Sequence, residues 1–161
     1  MSEDQRFKTM RHVETVRNYL NEVIRELLSR QEQHDQTKFE NPERDIFDKY
    51  TPLLRGVTYG SDEYKRMVAE MGPAVKHHQE SYRHHPEFFG GDGVSGMNLI
   101  DLLEMICDWK SSTMRHADGD IYRSIEINQK RFGYSDELKK ILKNTADWMN
   151  AQKVFHHAEE S

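Results

Sequence analysis

The stretch KHHQESYRHHPEFFGGDG, Lys76 to Gly93, places His77, His78, His84 and His85 within nine residues, four of the chain's nine histidines. Imidazole is the commonest protein ligand for transition metals and titrates near neutral pH. The adjacent pair His34-Asp35 and Asp108 in EMICDWK add further candidates, as does His12 near the start. Nitrogen and carboxylate donors together suit a borderline divalent metal such as Mn, Fe, Co or Zn.

Spacing constrains how these residues can meet. His77 and His84 are seven apart, as are His78 and His85. On one straight helix each pair would lie about 10 Å apart. One metal with ligands at about 2 Å cannot bridge that gap. The cluster therefore requires either a helix distortion near Pro86 or two metals. Consecutive helical side chains also point about 100° apart, so His34 and Asp35 converge only if a helix end or distortion turns them inward.

Each feature also has a plainer reading. His12 precedes Val16 and Leu20 at helical spacing, which puts it on the buried side of the first helix as a core histidine. His34 complements a helix C-terminal dipole. The cluster, with Tyr82 and Arg83 between its halves, reads equally as a solvated face. Asp101, Glu104 and Asp108 share one side of a helix opposite Leu99, Leu102 and Ile106, facing either water or a pocket.

The elements that must position these residues are all helical. Val13, Val16, Leu20, Val23, Ile24, Leu27 and Leu28 predict a helix from Arg6 to about Gln33. After the Asn41-Pro42 break come a short helix, a loop, and a helix opening near Ser61-Asp62. Pro73 starts the helix that carries the histidine cluster, and Pro86 ends it. Four glycines in EFFGGDGVSG make a loop. A helix from Met97 to about Arg115 is expected to bury Leu99, Leu102, Leu103 and Ile106. Helices from Ile121 to Gln129 and from Ser135-Asp136 onward follow. No segment reads as a strand. The expected fold is one all-α domain over residues 1–152, with 153–161 as a tail.

Composition limits the function. With 35% hydrophobic and 32% charged residues, the 161-residue chain has a lean core and a highly charged surface. The net charge of −5 argues against a broad nucleic-acid-binding face. The single cysteine, Cys107, excludes an internal disulfide, and no apolar run approaches the roughly 20 residues of a membrane span. A soluble cytoplasmic protein is expected; its oligomeric state is not readable.

In order, His12, HDQTK (His34 to Lys38), the His77–His85 cluster and Asp108 resemble the HD superfamily of metal-dependent phosphohydrolases. That resemblance implies an HD-like helical bundle holding one or two divalent metals. It implies His34, Asp35 and Asp108 as first-metal ligands with His12 as the fourth, and His78, His84 and His85 as second-metal or phosphate ligands, His77 being spare. Sharing a metal between His12 and His34 requires the first helix to reverse near Leu28–Gln33, since 22 straight helical residues span about 33 Å. Lys38 and Arg83 would neutralise phosphate, and Glu87 with the glycine-rich loop would close over a phosphorylated substrate, foremost a nucleotide. The chain also resembles a family of small, uncharacterised phage and bacterial proteins, through HDQTKF, HHPEFF and LLEMICDW. Thr37 stands where the HD pattern usually has glycine, and no GYP follows HHPE, so no substrate subclass carries over. HD-type di-iron oxygenases share the ligand pattern and form an alternative, as does a non-enzymatic helical partner-binding protein.

Overall fold

The computed structural model describes residues 3–115 and 118–152. The expected tail beyond residue 152 and its histidines, His156 and His157, lie outside that range. Among the described residues every regular element is helical. Its α-helices are α1 (Glu3–Gln33), α2 (Arg44–Leu54), α3 (Asp62–Glu70), α4 (Gly72–Ser81), α5 (Leu99–Thr113), α6 (Ile121–Phe132) and α7 (Asp136–Ala151). Two 3-10 segments, Gln36–Phe39 and Pro86–Gly96, connect them. No described helix is long and apolar enough to cross a membrane.

Local sequence sets the boundaries. Ser61 and Ser135 cap α3 and α7, accepting from the amides of Tyr64 at 3.1 Å and Leu138 at 3.2 Å. At the start of α5, Asn98 accepts from the Ile100 and Asp101 amides while Asp101 accepts from the Asn98 amide, a reciprocal capping box. α6 extends past the expected Gln129 to Phe132, where Gly133 supplies the left-handed C-terminal residue at φ 68°.

α5 divides the molecule into two halves. Met105 and Ile106 pack with Ile121 and Ile125 of α6 and Leu142 and Ala146 of α7 to form the apolar core. At 100° per residue, Asp101, Glu104 and Asp108 fall within about 60° of one another on the adjoining face. They turn toward α1 and α4 rather than to water: Asp101 is fully buried, and the Glu104 and Asp108 side chains are 10% and 16% exposed. The expected burial of Leu99 and Leu103 fails, because the buried arc of α5 runs through the carboxylates instead; Leu99 is 77% exposed.

Two expectations are corrected. α1 runs without a break to Gln33, and His12 lies exposed on it beside exposed Val13 and Val16. Only its last turns reach the body, where Arg30 donates to Glu104 at 3.0 Å and Asp101 at 3.2 Å. Second, α4 stops at Ser81, five residues before Pro86, and Tyr82 is extended. The Tyr82 hydroxyl accepts from the Thr37 amide at 2.7 Å, fastening this turn to the segment after α1.

Candidate metal centre

The early end of α4 answers the spacing problem. His78 remains on the helix, buried, while His84 and His85 sit beyond the turn, so they fold back instead of continuing two turns up the same face. The rings of His78 and His85 come to 4.8 Å between centroids, and those of His84 and His85 to 4.1 Å. This is no solvated face: His78 is 4% and His84 1% exposed. His77, 46% exposed at its side chain, turns its Nδ1 to buried Glu43 at 2.7 Å and stands outside the candidate ligand groups.

Asp35 makes the second turn inward. It follows the last residues of α1 in a left-handed conformation, φ 58° and ψ 16°, unusual for a non-glycine residue. Such a conformation costs on the order of 1–2 kcal/mol and persists where surroundings impose it. Here it swings the Asp35 carboxylate into the same space as the His34 ring. Lys38 secures it, donating to Asp35 Oδ2 at 2.6 Å.

Around Asp35 two groups of candidate ligands form. Oδ1 lies 3.2 Å from His78 Nε2 and 3.6 Å from His84 Nε2, with His85 completing the set. Oδ2 lies 3.7 Å from His34 Nε2, which is in turn 3.8 Å from Asp108 Oδ1. Each group's donor atoms lie within 4.8 Å of one another, and Asp35 belongs to both. The helical elements thus bring together His34, Asp35, His78, His84, His85 and Asp108. His12 is not among them: it sits 22 residues up a straight helix, about 33 Å away.

Carboxylates behind the rings fix which nitrogen faces inward. A carboxylate only accepts, so the ring nitrogen bonded to it carries the proton. His78 Nδ1 donates to fully buried Glu43 at 2.9 Å, and His34 Nδ1 to Glu104 at 3.0 Å, leaving each Nε2 lone pair to the centre. His84 Nδ1 lies 2.9 Å from the same Glu104 oxygen. Glu104 also forms a third donor group with His34 and His84; His34 Nδ1 is hydrogen-bonded to it, while His84 Nδ1 is buried without a hydrogen-bond partner. Outer-shell carboxylates of this kind orient metal-binding histidines and raise their basicity.

The electrostatics favour a cation. Burial pushes the Asp35 carboxyl up, but the Lys38 ammonium bonded to it helps hold it below the usual range, so it stays ionised. The Glu104 hydrogen bond raises the His34 ring above its ordinary value against the effect of burial. Burial, then the neighbouring His84 and His78 rings, push His85 down to about 2, leaving it neutral with a free lone pair. Asp35 Oδ1, His84 Nε2 and His85 Nε2 are buried without a hydrogen-bond partner. Buried polar atoms are ordinarily satisfied. Three orphans aimed at one space, in an N/O donor set, fit a borderline divalent metal.

The centre opens into a cleft of about 240 Å³ through His85 and Asp108. Phe47, Tyr59, Tyr64 and Trp109 line it, with Arg123 and Arg131 among the cations. Of the residues expected to contact substrate, Glu87 lines the cleft and accepts from Arg131. Lys38 does not line it, being held on Asp35 and over the Phe47 ring. Nor does Arg83, which grips Asp101 in two hydrogen bonds at 2.9 and 3.0 Å and so braces α5. Sequence reading missed Glu43, which sits 34 and 35 residues before its histidine partners with no local periodicity to flag it. Glu104 was legible only as one of three carboxylates on a shared helix side.

No curated protein and no solved structure matches the chain. A family model matches residues 1–153, nearly its whole length, and the chain therefore belongs to DUF5662, a family of unknown function.

Proposed function

We propose that this protein is a metal-dependent phosphohydrolase that cleaves a phosphate ester or anhydride of a small molecule, foremost a nucleotide. The observation that carries the reading is the position of the centre: two ligand groups sharing Asp35 meet an arginine-rimmed cleft at His85 and Asp108.

A divalent metal held there supplies a water of lowered pKa and polarises the phosphoryl group. His34, Asp35 and Asp108 would hold one ion, and His78, His84 and His85 with Asp35 would hold a second. Glu43 and Glu104 keep the imidazoles turned inward. At the mouth, Arg131 is positioned by Glu87, and Arg123 lies 3.5 Å from Asp118; both guanidiniums are placed to offset phosphate charge. Burial, then the neighbouring Tyr59, push the Tyr64 phenol up to about 12, so it remains a hydroxyl donor at neutral pH. Tyr59 and Tyr64 meet edge-on at 5.0 Å and, with Trp109, offer walls for a flat base. Buried Asn128, whose Oδ1 accepts from Tyr59 at 3.3 Å, adds an amide for polar recognition.

The test is phosphate release from nucleoside mono-, di- and triphosphates and an aryl phosphate, with Mn, Fe, Co or Zn supplied in turn. Turnover with at least one metal, lost in Asp35→Ala, supports the reading. No release from any substrate by metal-loaded protein overturns it.

A further inference from the structure

The N-terminal two-thirds of α1 carries an apolar stripe that stays exposed among the described residues. Val13, Val16, Leu20, Val23 and Leu27 recur at alternating steps of three and four, the heptad a/d pattern of a coiled coil. The first four are 38–55% exposed, and Met10 and Ile24 beside them are 70% and 53% exposed. A globular helix normally buries such a stripe. The other face carries alternating signs, with Glu14, Arg17, Glu22 and Arg25, and a hydrogen bond of 2.5 Å joins Arg25 to Glu22. Helices that lie on membranes are instead rich in Lys and Arg there.

We infer that α1 docks antiparallel on α1 of a second copy of this chain, forming a two-helix coiled coil that projects from two helical bodies. In the register that pairs Val13 with Val23 and Val16 with Leu20, the flanking positions meet as His12 with Glu26 and Met10 with Ile24, each twice by symmetry. Tyr19 meets its own copy, as does Arg17, the one repulsive contact. A parallel pair sets His12 against Arg17 and Glu26 against Gln31, with no opposite charges. With Tyr19, seven exposed apolar side chains per helix at on the order of 80 Å² each bury about 1,100 Å² over the two helices, just above the roughly 1,000 Å² that a specific interface needs. Anchoring is already in place at the other end, where Arg30 binds Glu26, Asp101 and Glu104. The pairing needs no metal and does not depend on the proposed reaction.

The experiment uses the full chain. Sedimentation velocity at tens of micromolar is expected to give a dimer. Leu20→Glu, at an exposed position, is expected to weaken the dimer about 100-fold or more with helical circular dichroism unchanged. Orientation is read by spin-label distances in a Cys107→Ser background, with Asn18→Cys, Arg11→Cys and Arg25→Cys labelled in turn. The antiparallel register predicts a short distance at 18 and both others about 20 Å along the axis from their copies. A monomer, a dimer indifferent to Leu20→Glu, equal distances at all three positions, or a monomer that co-sediments with anionic phospholipid vesicles would each overturn the inference.

Discussion

His78 is held between two carboxylates, its Nδ1 2.9 Å from Glu43 and its Nε2 3.2 Å from Asp35. Glu43 is fully buried and also accepts from His77 Nδ1 at 2.7 Å. One carboxylate thus sets the tautomer of the ring that faces the other. Replacing it removes an orienting group without touching a ligand.

Glu43→Gln is therefore expected to weaken metal binding by about 10–100-fold while the protein remains folded. Titration calorimetry with Mn and Zn, alongside circular dichroism, checks this. Equal affinity in variant and wild type would show that Glu43 serves packing alone.

The two ligand groups differ in all members but Asp35. Asp108→Ala is expected to lower the metal content by one ion per chain, and His85→Ala to lower it by the other. His12→Ala, on the exposed arm, should leave it unchanged. Elemental analysis of the three variants separates them. A loss in the His12 variant would restore a residue that the fold holds far from the centre.

What the sequence disclosed follows from the range of the signals. Helix starts at Ser61, Asn98 and Ser135 are local capping chemistry, legible without tertiary context. That one straight helix could not bring the paired histidines to one metal was also legible, from the 10 Å spacing of helical neighbours seven apart, which left either a distortion near Pro86 or two metals. The place of the turn was not: α4 ends at Ser81 because Tyr82 bonds across to Thr37, 45 residues away. His12 misled for a related reason. An apolar stripe signals burial, but not against what, and here the body covers only the end of α1. Glu43 left no trace, since its pairing with His77 and His78 is purely tertiary.

Asp101, fully buried between Arg30 and Arg83, gives a pH signature. Burial pushes the Asp101 carboxyl up, but hydrogen bonds from Arg83, the Asn98 amide and Arg30 outweigh it and hold it below its ordinary value. A depressed folded pKa contributes stability that is complete above the unfolded value and is lost as pH falls through the folded one. The melting temperature should therefore drop below about pH 4. Asp101→Asn takes from Arg83 its paired carboxylate and from Arg30 one of three, and should cost about 2 kcal/mol at pH 7, with a flatter acid limb. Calorimetry from pH 2 to 7 measures both. A variant as stable as wild type would contradict the bracing role.

At the cleft, Arg131 is held by Glu87. Arg131→Ala is expected to raise KM for a phosphorylated substrate about tenfold or more, leaving the metal content intact. Steady-state kinetics on the best substrate decides it, and an unchanged KM would place the phosphate elsewhere.

The central claim is that Asp35 is shared by two metal-binding groups. The most direct measurement is metal content by mass spectrometry on untagged protein, wild type beside Asp35→Ala, after incubation with Mn, Fe, Co or Zn. Wild type is expected to hold up to two ions per chain and the variant essentially none. Wild type that retains no metal, or a variant that retains as much as wild type, would contradict it.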